Sequence, residues 1–336
     1  MYELAIFSVI NGFEYGLRLF LLASGLTLIF SMMGVLNFAH ASFYMLGAYI
    51  AFTIAQFFSA NNIGLFGYEI SGFWIALFVA PILVGILGGL IQRYLLSRVH
   101  KFGHVPELIF TFSLAFLIEE VVKFIWGGDL KAGNELKPDV LDGTAFIVAN
   151  SHVPAYKVFM ICVSIVIFLA LLYLLLRTRV GLIIQASITH PNVVGMLGHN
   201  VPFIFMAVFS VGTMLAGVAG VIAGPEQSIS PAMGFELGSI IFVVIVVGGL
   251  GSLAGGFISA LAIGLIVTAA KTFDGSIAHI ISYTTDSLFA FKFAPDGFLF
   301  QALGVPFPQV APLIPYLLLV LILIFRPMGL MGNREV

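Results

Sequence analysis

Apolar runs long enough to cross a bilayer follow one another along almost the whole of this chain, interrupted only by short polar breaks. A hydrocarbon core about 30 Å thick takes roughly 20 residues of helix, and a backbone in lipid must satisfy its hydrogen bonds within itself. A bundle of membrane-spanning helices is the fold this pattern allows. Only 9% of the 336 residues are charged, and the mean hydropathy is +1.13. The 36 glycines point to closely packed and locally interrupted helices, because small residues let backbones approach and glycine tolerates unwinding beside a cavity. The single Cys162 lies in an apolar run, with no partner for a disulfide or a thiolate-ligated metal within the chain. The first residues carry no basic stretch and no small-residue cleavage site, so the first apolar run reads as a retained helix.

The runs place spans near 8–31, 36–58, 72–96, 105–126, 156–177, 202–224, 236–250, 252–271 and 309–326. The connections at 92–104, at 177–201 and after Phe325 hold Arg93, Arg98, Lys101, Arg177, Arg179, Arg326 and Arg334, with Glu335 as their only acid. Such loops belong on the cytoplasmic side. Those at 59–71, 127–155, 225–235 and 272–308 carry most of the loop acids, among them Glu69, Asp129, Asp142, Glu226 and Asp286, and belong outside. Nine crossings with the N-terminus outside and the C-terminus cytoplasmic satisfy both sets; eight is the alternative if 236–271 does not make two crossings. The expected fold is therefore an all-α polytopic membrane protein with some helices broken by glycine-rich turns. It forms one domain over 1–336, because the longest polar stretch, 127–156, is too short for a soluble core.

Three breaks carry information. The first runs from Met33 to Tyr49, where Asn37, His40 and Ser42 sit between apolar spans without a charged loop to take them into water. Polar groups at membrane depth pair with one another or face a cavity, so the segment, with Tyr44, is either a structural knot or the lining of a path. A metal site on His40 lacks a second ligand at suitable spacing. The second break is Val247 to Gly256, with Gly248, Gly249, Gly251 and Ser252 between two apolar helices and no charge. It is a tight turn or a break exposing backbone groups to a path; neither its spacing nor its context fits a dinucleotide fingerprint. The third is Arg177 to Val201. There Thr189 or His190 before Pro191 looks like a helix start, and Gly198 with Asn200 like its stop. A short amphipathic helix over Thr189, His190, Pro191, Asn192, Val193, Val194, Gly195, Met196, Leu197 and Gly198 follows, lying on the membrane or docking a partner.

Within the spans, Glu14 and Arg18, and likewise Glu119 and Lys123, stand four apart and pair on one helix face. The seven histidines form no HExxH and no Cys/His cluster, and no GxxxxGK[ST] loop occurs. An enzyme would need His, Asp or Glu gathered at one depth, and a motor would need its ATP site on another chain.

Several stretches together resemble one family. They are Gly25-Leu26-Thr27-Leu28-Ile29-Phe30, then Gly34-Val35-Leu36-Asn37-Phe38-Ala39-His40 and Met45-Leu46-Gly47-Ala48-Tyr49. Thr178-Arg179 and Gly181, followed by Gly198, Asn200 and Val201, come next, then Gly248-Gly249-Leu250-Gly251-Ser252 and Arg326-Pro327-Met328-Gly329-Leu330-Met331-Gly332. In this order they resemble the LivH-type permeases of branched-chain amino acid ABC importers, a family that includes urea and short-amide permeases. The resemblance implies a non-enzymatic permease subunit in a bacterial inner membrane. It also implies a second permease chain, identical or homologous, two cytoplasmic ATPases that bind ATP and Mg, and a periplasmic solute-binding protein. This chain itself would hold no cofactor or metal and bind no nucleic acid. By the same resemblance the loop at 178–201 docks on the ATPase, though the family's acids at His190 and Asn192 and its arginines at Leu182 and Gln185 are missing. The long outer loops at 127–155 and 272–308 add surface for the binding protein. The open alternative is a stand-alone secondary transporter or channel in which Glu119, Glu120 or His40 couples or gates an ion.

Overall fold

The computed structural model describes residues 2–34, 36–60, 64–65, 68–69, 72–148, 151–273, 275–276 and 304–332. Its helices are α1 (Tyr2–Met33), α2 (His40–Ala60), α3 (Gly72–Ile91, running on through a π-helical turn at Gln92–Leu96) and α4 (His104–Trp126). These are followed by α5 (Ala155–Arg177), α6 (Arg179–Thr189), α7 (Pro191–Met196) and α8 (Val201–Ala223). The last three are α9 (Met233–Gly248), α10 (Leu253–Thr272) and α11 (Ile314–Phe325). Each expected span coincides with a helix. Among the described residues, 7 helical stretches are long and apolar enough to cross a membrane. The other two fall short for different reasons. α4 carries Glu107, Glu119, Glu120 and Lys123. α9 has 16 residues, about 24 Å of helix at 1.5 Å per residue. The stretch 236–271 is thus two helices, the first shorter than a full hydrocarbon core.

Lipid gives helices no hydrophobic reason to associate, so close van der Waals packing must hold the bundle together. Glycines supply it around α8, which lies against α1, α2 and α3. A Cβ on Gly47 of α2 would stand 2.6 Å from the carbonyl oxygen of Gly217, and one on Gly220 would run into the Tyr44 carbonyl. On the α1 side, a Cβ on Gly212 would meet the Gly25 carbonyl oxygen at 2.9 Å; on the α3 side, Gly88 packs on the Thr213 side chain. A second seam joins α1 to α10, where a Cβ on Gly16 would lie 2.9 Å from the Ala260 carbonyl oxygen. Phe20 fills the space beside this seam, edge-on to Phe168 and Phe257, whose rings stack 4.1 Å apart.

The connection at 127–155 is built rather than loose. Its Gly133–Leu136 turn packs on the Gly224–Glu226 turn after α8, and Lys131 and Ile229 exchange backbone hydrogen bonds of 2.9 and 3.0 Å. A hairpin of β1 (Thr144–Val148) and β2 (Ser151–Pro154) completes it, pairing Val148 with Ser151. Most of the expected outer loop at 272–308, namely 274 and 277–303, lies outside the described residues.

The short helix expected after Thr189 or His190 forms as α7, with His190 as its N-cap and Pro191 first, and an additional helix, α6 from Arg179 to Thr189, precedes it. Proline disfavours helical backbone in the residue before it, and His190 accordingly leaves the helix at φ −139° and ψ 63°. Gly198 does reverse the chain, at φ +90°. Asn200, however, starts the next helix: its side-chain oxygen accepts the Phe203 N–H at 3.1 Å and caps α8. Both expected ion pairs form, Arg18 with Glu14 at 3.7 Å and Lys123 with Glu119 at 2.7 Å, and Glu120 joins the second at 2.8 Å.

The glycine seam makes a prediction. Gly220→Val must push α2 from α8 and is expected to cost about 1–3 kcal/mol, the usual scale of overpacking. Gly195, with open space at its Cβ position, should accept alanine without comparable loss. Thermal unfolding of both variants in detergent, against the parent chain, checks the contrast.

Candidate functional site

The first polar break places the start of α2 inside the bundle. The Nε2 of His40, the first residue of α2, lies 3.1 Å from the carbonyl oxygen of Leu22 in α1. Leu22 precedes Met33, the end of α1, by eleven residues, about 16 Å of helix. Gly34, at φ +65°, turns the chain after α1. Asn37 then organises the start of α2: its side-chain oxygen accepts the Ala39 N–H and its carbonyl accepts the His40 N–H, both at 3.1 Å. α4 holds the same segment from the other side, with the Phe38 N–H donating to Thr111 Oγ1 at 3.4 Å and Ser42 Oγ donating to the Ala115 carbonyl at 3.5 Å.

A cavity of about 400 Å³ opens beside this turn, bounded by α1, α2, α4, α9 and α11. α9 reaches it with two glycines: a Cβ on Gly234 would lie 3.3 Å from Ser42 Cα, and one on Gly238 3.4 Å from Ala41 Cβ. The wall is mostly aromatic and aliphatic, with Phe38, Phe112, Phe235, Phe242 and Leu319, and none of its lining residues is charged. Polar groups enter at two places. Asn37, His40 and Ser42 line one side, and Ser239 with Tyr316, whose hydroxyls are 2.8 Å apart, lines the other.

Two polar atoms here are buried without a partner, Asn37 Nδ2 and His40 Nδ1. The Leu22 carbonyl can only accept, so Nε2 carries the ring proton in that contact. In the neutral ring Nδ1 is then an acceptor, while Asn37 Nδ2 is a donor. These are one uncharged acceptor and one uncharged donor, both shut away from solvent within residues that line the cavity, and such groups are costly to leave unsatisfied. Among the described residues, no three His, Cys, Asp or Glu side chains converge as a metal site would require.

The remaining residues expected on a path lie elsewhere. Tyr44 is buried at the α2–α8 contact, and its hydroxyl accepts a 2.6 Å hydrogen bond from Gln227 Nε2. Gly248, Gly249, Gly251 and Ser252 form the turn between α9 and α10. Gly249 and Gly251 stand at φ +102° and +80°, and Ser252 Oγ caps α10 by accepting the Gly255 N–H at 3.1 Å. The carbonyls of Val247 and Gly248 accept from the Leu330 and Met331 N–H groups at 2.9 and 3.0 Å. The C-terminal turn thus clamps the end of α9. Gly251 also borders a small cleft with Ser24, Thr27 and Ser31.

On the α6–α7 segment, Thr189, His190, Asn192, Val193 and Gly195 are exposed. Met196 and Leu197 are 79% and 72% exposed at its tip, whereas Val194 is buried. Pro191 opens α7. Sequence reasoning found the polar edge of the cavity and missed its aromatic wall. Phe112, Phe235, Phe242 and Tyr316 come from three helices far apart in the chain, and a phenylalanine among 34 carries no signal of its own.

Residues 8–323 match the family described as branched-chain amino acid transport system / permease component, and the chain belongs to that family. It is 27% identical over 338 residues to the high-affinity branched-chain amino acid transport system permease protein BraD of Pseudomonas aeruginosa, covering 98% of this chain and 96% of that protein. It is 26% identical over 333 residues to LivH of Salmonella typhimurium, with 97% and 95% covered, which bears the same description. Similarity extends to a probable branched-chain amino acid transport permease protein LivH of Methanocaldococcus jannaschii, 29% identical over 260 residues with 75% and 76% covered. No solved structure matches the chain.

Removing the cap that starts α2 tests this geometry. Asn37→Ala should cost about 1 kcal/mol, as loss of an Asn cap usually does, read as a lowered unfolding midpoint in detergent.

Proposed function

We propose that this chain forms the translocation path for a small amino acid, branched-chain by first expectation, or a related amide, within an ATP-driven importer. The cavity beside Asn37 and His40 carries this reading. It opens over the buried turn at Asn37, His40 and Ser42, its wall suits an aliphatic side chain, and its polar edge is uncharged and sparse. A path has to bind weakly enough to release its cargo, and such an edge does this where a charged pocket would hold on. Membership of the permease family supports the subunit reading over the stand-alone one. Glu119 and Glu120, the carboxylates the latter would use, both sit on Lys123.

In this reading two ATPases bind ATP and Mg on the cytoplasmic side and push on α6 and α7, while a second permease chain completes the path. A solute-binding protein delivers cargo to the outer face, where the built connection at 127–155 stands. The side with Arg177, Arg179 and Arg326 is cytoplasmic, as the loop charges require of a bacterial inner-membrane protein, and the N-terminus is outside. Met196 and Leu197 are the natural docking surface, being apolar, exposed and at the tip of the segment. Transport would follow rigid rearrangement of helices around the cavity as the motors close.

Reconstitution tests the reading. Proteoliposomes holding the complete complex, with binding protein outside and ATP inside, should accumulate labelled leucine; liposomes with this chain alone should not. Accumulation by the chain alone sinks the proposal. Asn37→Leu should lower uptake at least about tenfold while the ATPases still co-purify, a loss worth ~1.4 kcal/mol at the limiting step. Met196→Glu with Leu197→Glu should release the ATPases from a permease that remains folded, measured by co-purification and by elution profile.

A further inference from the structure

A second cavity, about 310 Å³, lies under α6. Its wall is formed by Leu171 and Leu174 near the end of α5, Ile184 of α6, and Phe203 and Ala207 of α8, with no charged residue among its lining. Its polar members are His199 and Asn200, and the Asn200 side chain is already engaged in capping α8. Arg177 ends α5 and Arg179 begins α6, each within a turn of a lining residue, Leu174 and Val180 respectively. Both arginines are exposed. Among the described residues neither has an ion-pair or side-chain hydrogen-bond partner.

These features together have the layout of a phospholipid. Water gains little in a hollow with so few polar partners, whereas an acyl chain fills it without cost to either surface. Guanidinium groups bind phosphate through paired N–H donors, and basic residues at a membrane surface favour anionic headgroups. A zwitterionic lipid would bring a cationic group to the same arginines. We propose that this is a site for one anionic phospholipid, with an acyl chain between α6 and α8 and its phosphate on Arg177 and Arg179. This inference does not depend on the cargo or on the partners proposed above.

Purified full-length chain, taken from nanodiscs of equal phosphatidylglycerol and phosphatidylcholine, provides the test by native mass spectrometry of the lipids it retains. One phosphatidylglycerol should remain bound in preference to phosphatidylcholine. Arg177→Gln with Arg179→Gln should weaken that preference by about fivefold per arginine. Ala207→Trp fills the hollow and should remove bound lipid of either kind. Equal retention of the two lipids by the parent chain overturns the proposal, as does an unchanged preference in the arginine variant. So does Ala207→Trp if it elutes as a single folded species with its lipid count unaltered. If Ala207→Trp does not fold, the arginine variant decides. A parent chain that retains no lipid at all, with the hollow covered instead by a polypeptide partner in the full complex, also overturns it.

Discussion

Close backbone approach along α8 is the constraint on which the rest depends. Gly212, Gly217 and Gly220 bring this helix within backbone contact of α1 and α2, with Thr213 set against Gly88 of α3. In lipid, apolar side chains gain nothing by leaving one neighbour for another, so the geometry of the bundle follows from where helices can touch. The α1–α10 seam at Gly16 extends the same logic to the far side. Once these contacts are made, the first turn of α2 has one place to go, between Leu22 of α1 and the Thr111–Ala115 turn of α4.

That placement is costly in itself, because it brings polar groups to membrane depth. Most of the cost is met locally, as Asn37 caps the helix start and His40 finds the Leu22 carbonyl. What is left over, one donor and one acceptor, is buried in two residues that line the cavity. Structural knot and path lining were alternatives at the level of sequence; in the structure the same residues hold the turn and line a cavity.

The glycine break between α9 and α10 shows a different division of labour. The end of α9 is tied down by backbone hydrogen bonds from Leu330 and Met331, so the C-terminal signature and the glycine signature act on each other. α9 thereby becomes a short helix fixed at one end by the C-terminal turn and ending at the cavity with Gly234 at the other. α6 and α7 meet at His190, where Pro191 prevents a continuous helix.

Sequence alone determined that the chain is a helical membrane protein, where its helices fall, and which polar residues interrupt them. Hydropathy and the rule that lipid-exposed backbone must bond to itself are local properties, written residue by residue. Asn37, His40 and Ser42 were legible because polar groups stand out against an apolar background. Tertiary structure alone decided that Tyr44 and the 248–252 turn lie away from the cavity, that Asn200 starts a helix instead of ending one, and that four aromatic rings from distant helices make the wall. Those outcomes depend on which backbones approach which, and a glycine shows where an approach is possible without naming the helix that will make it.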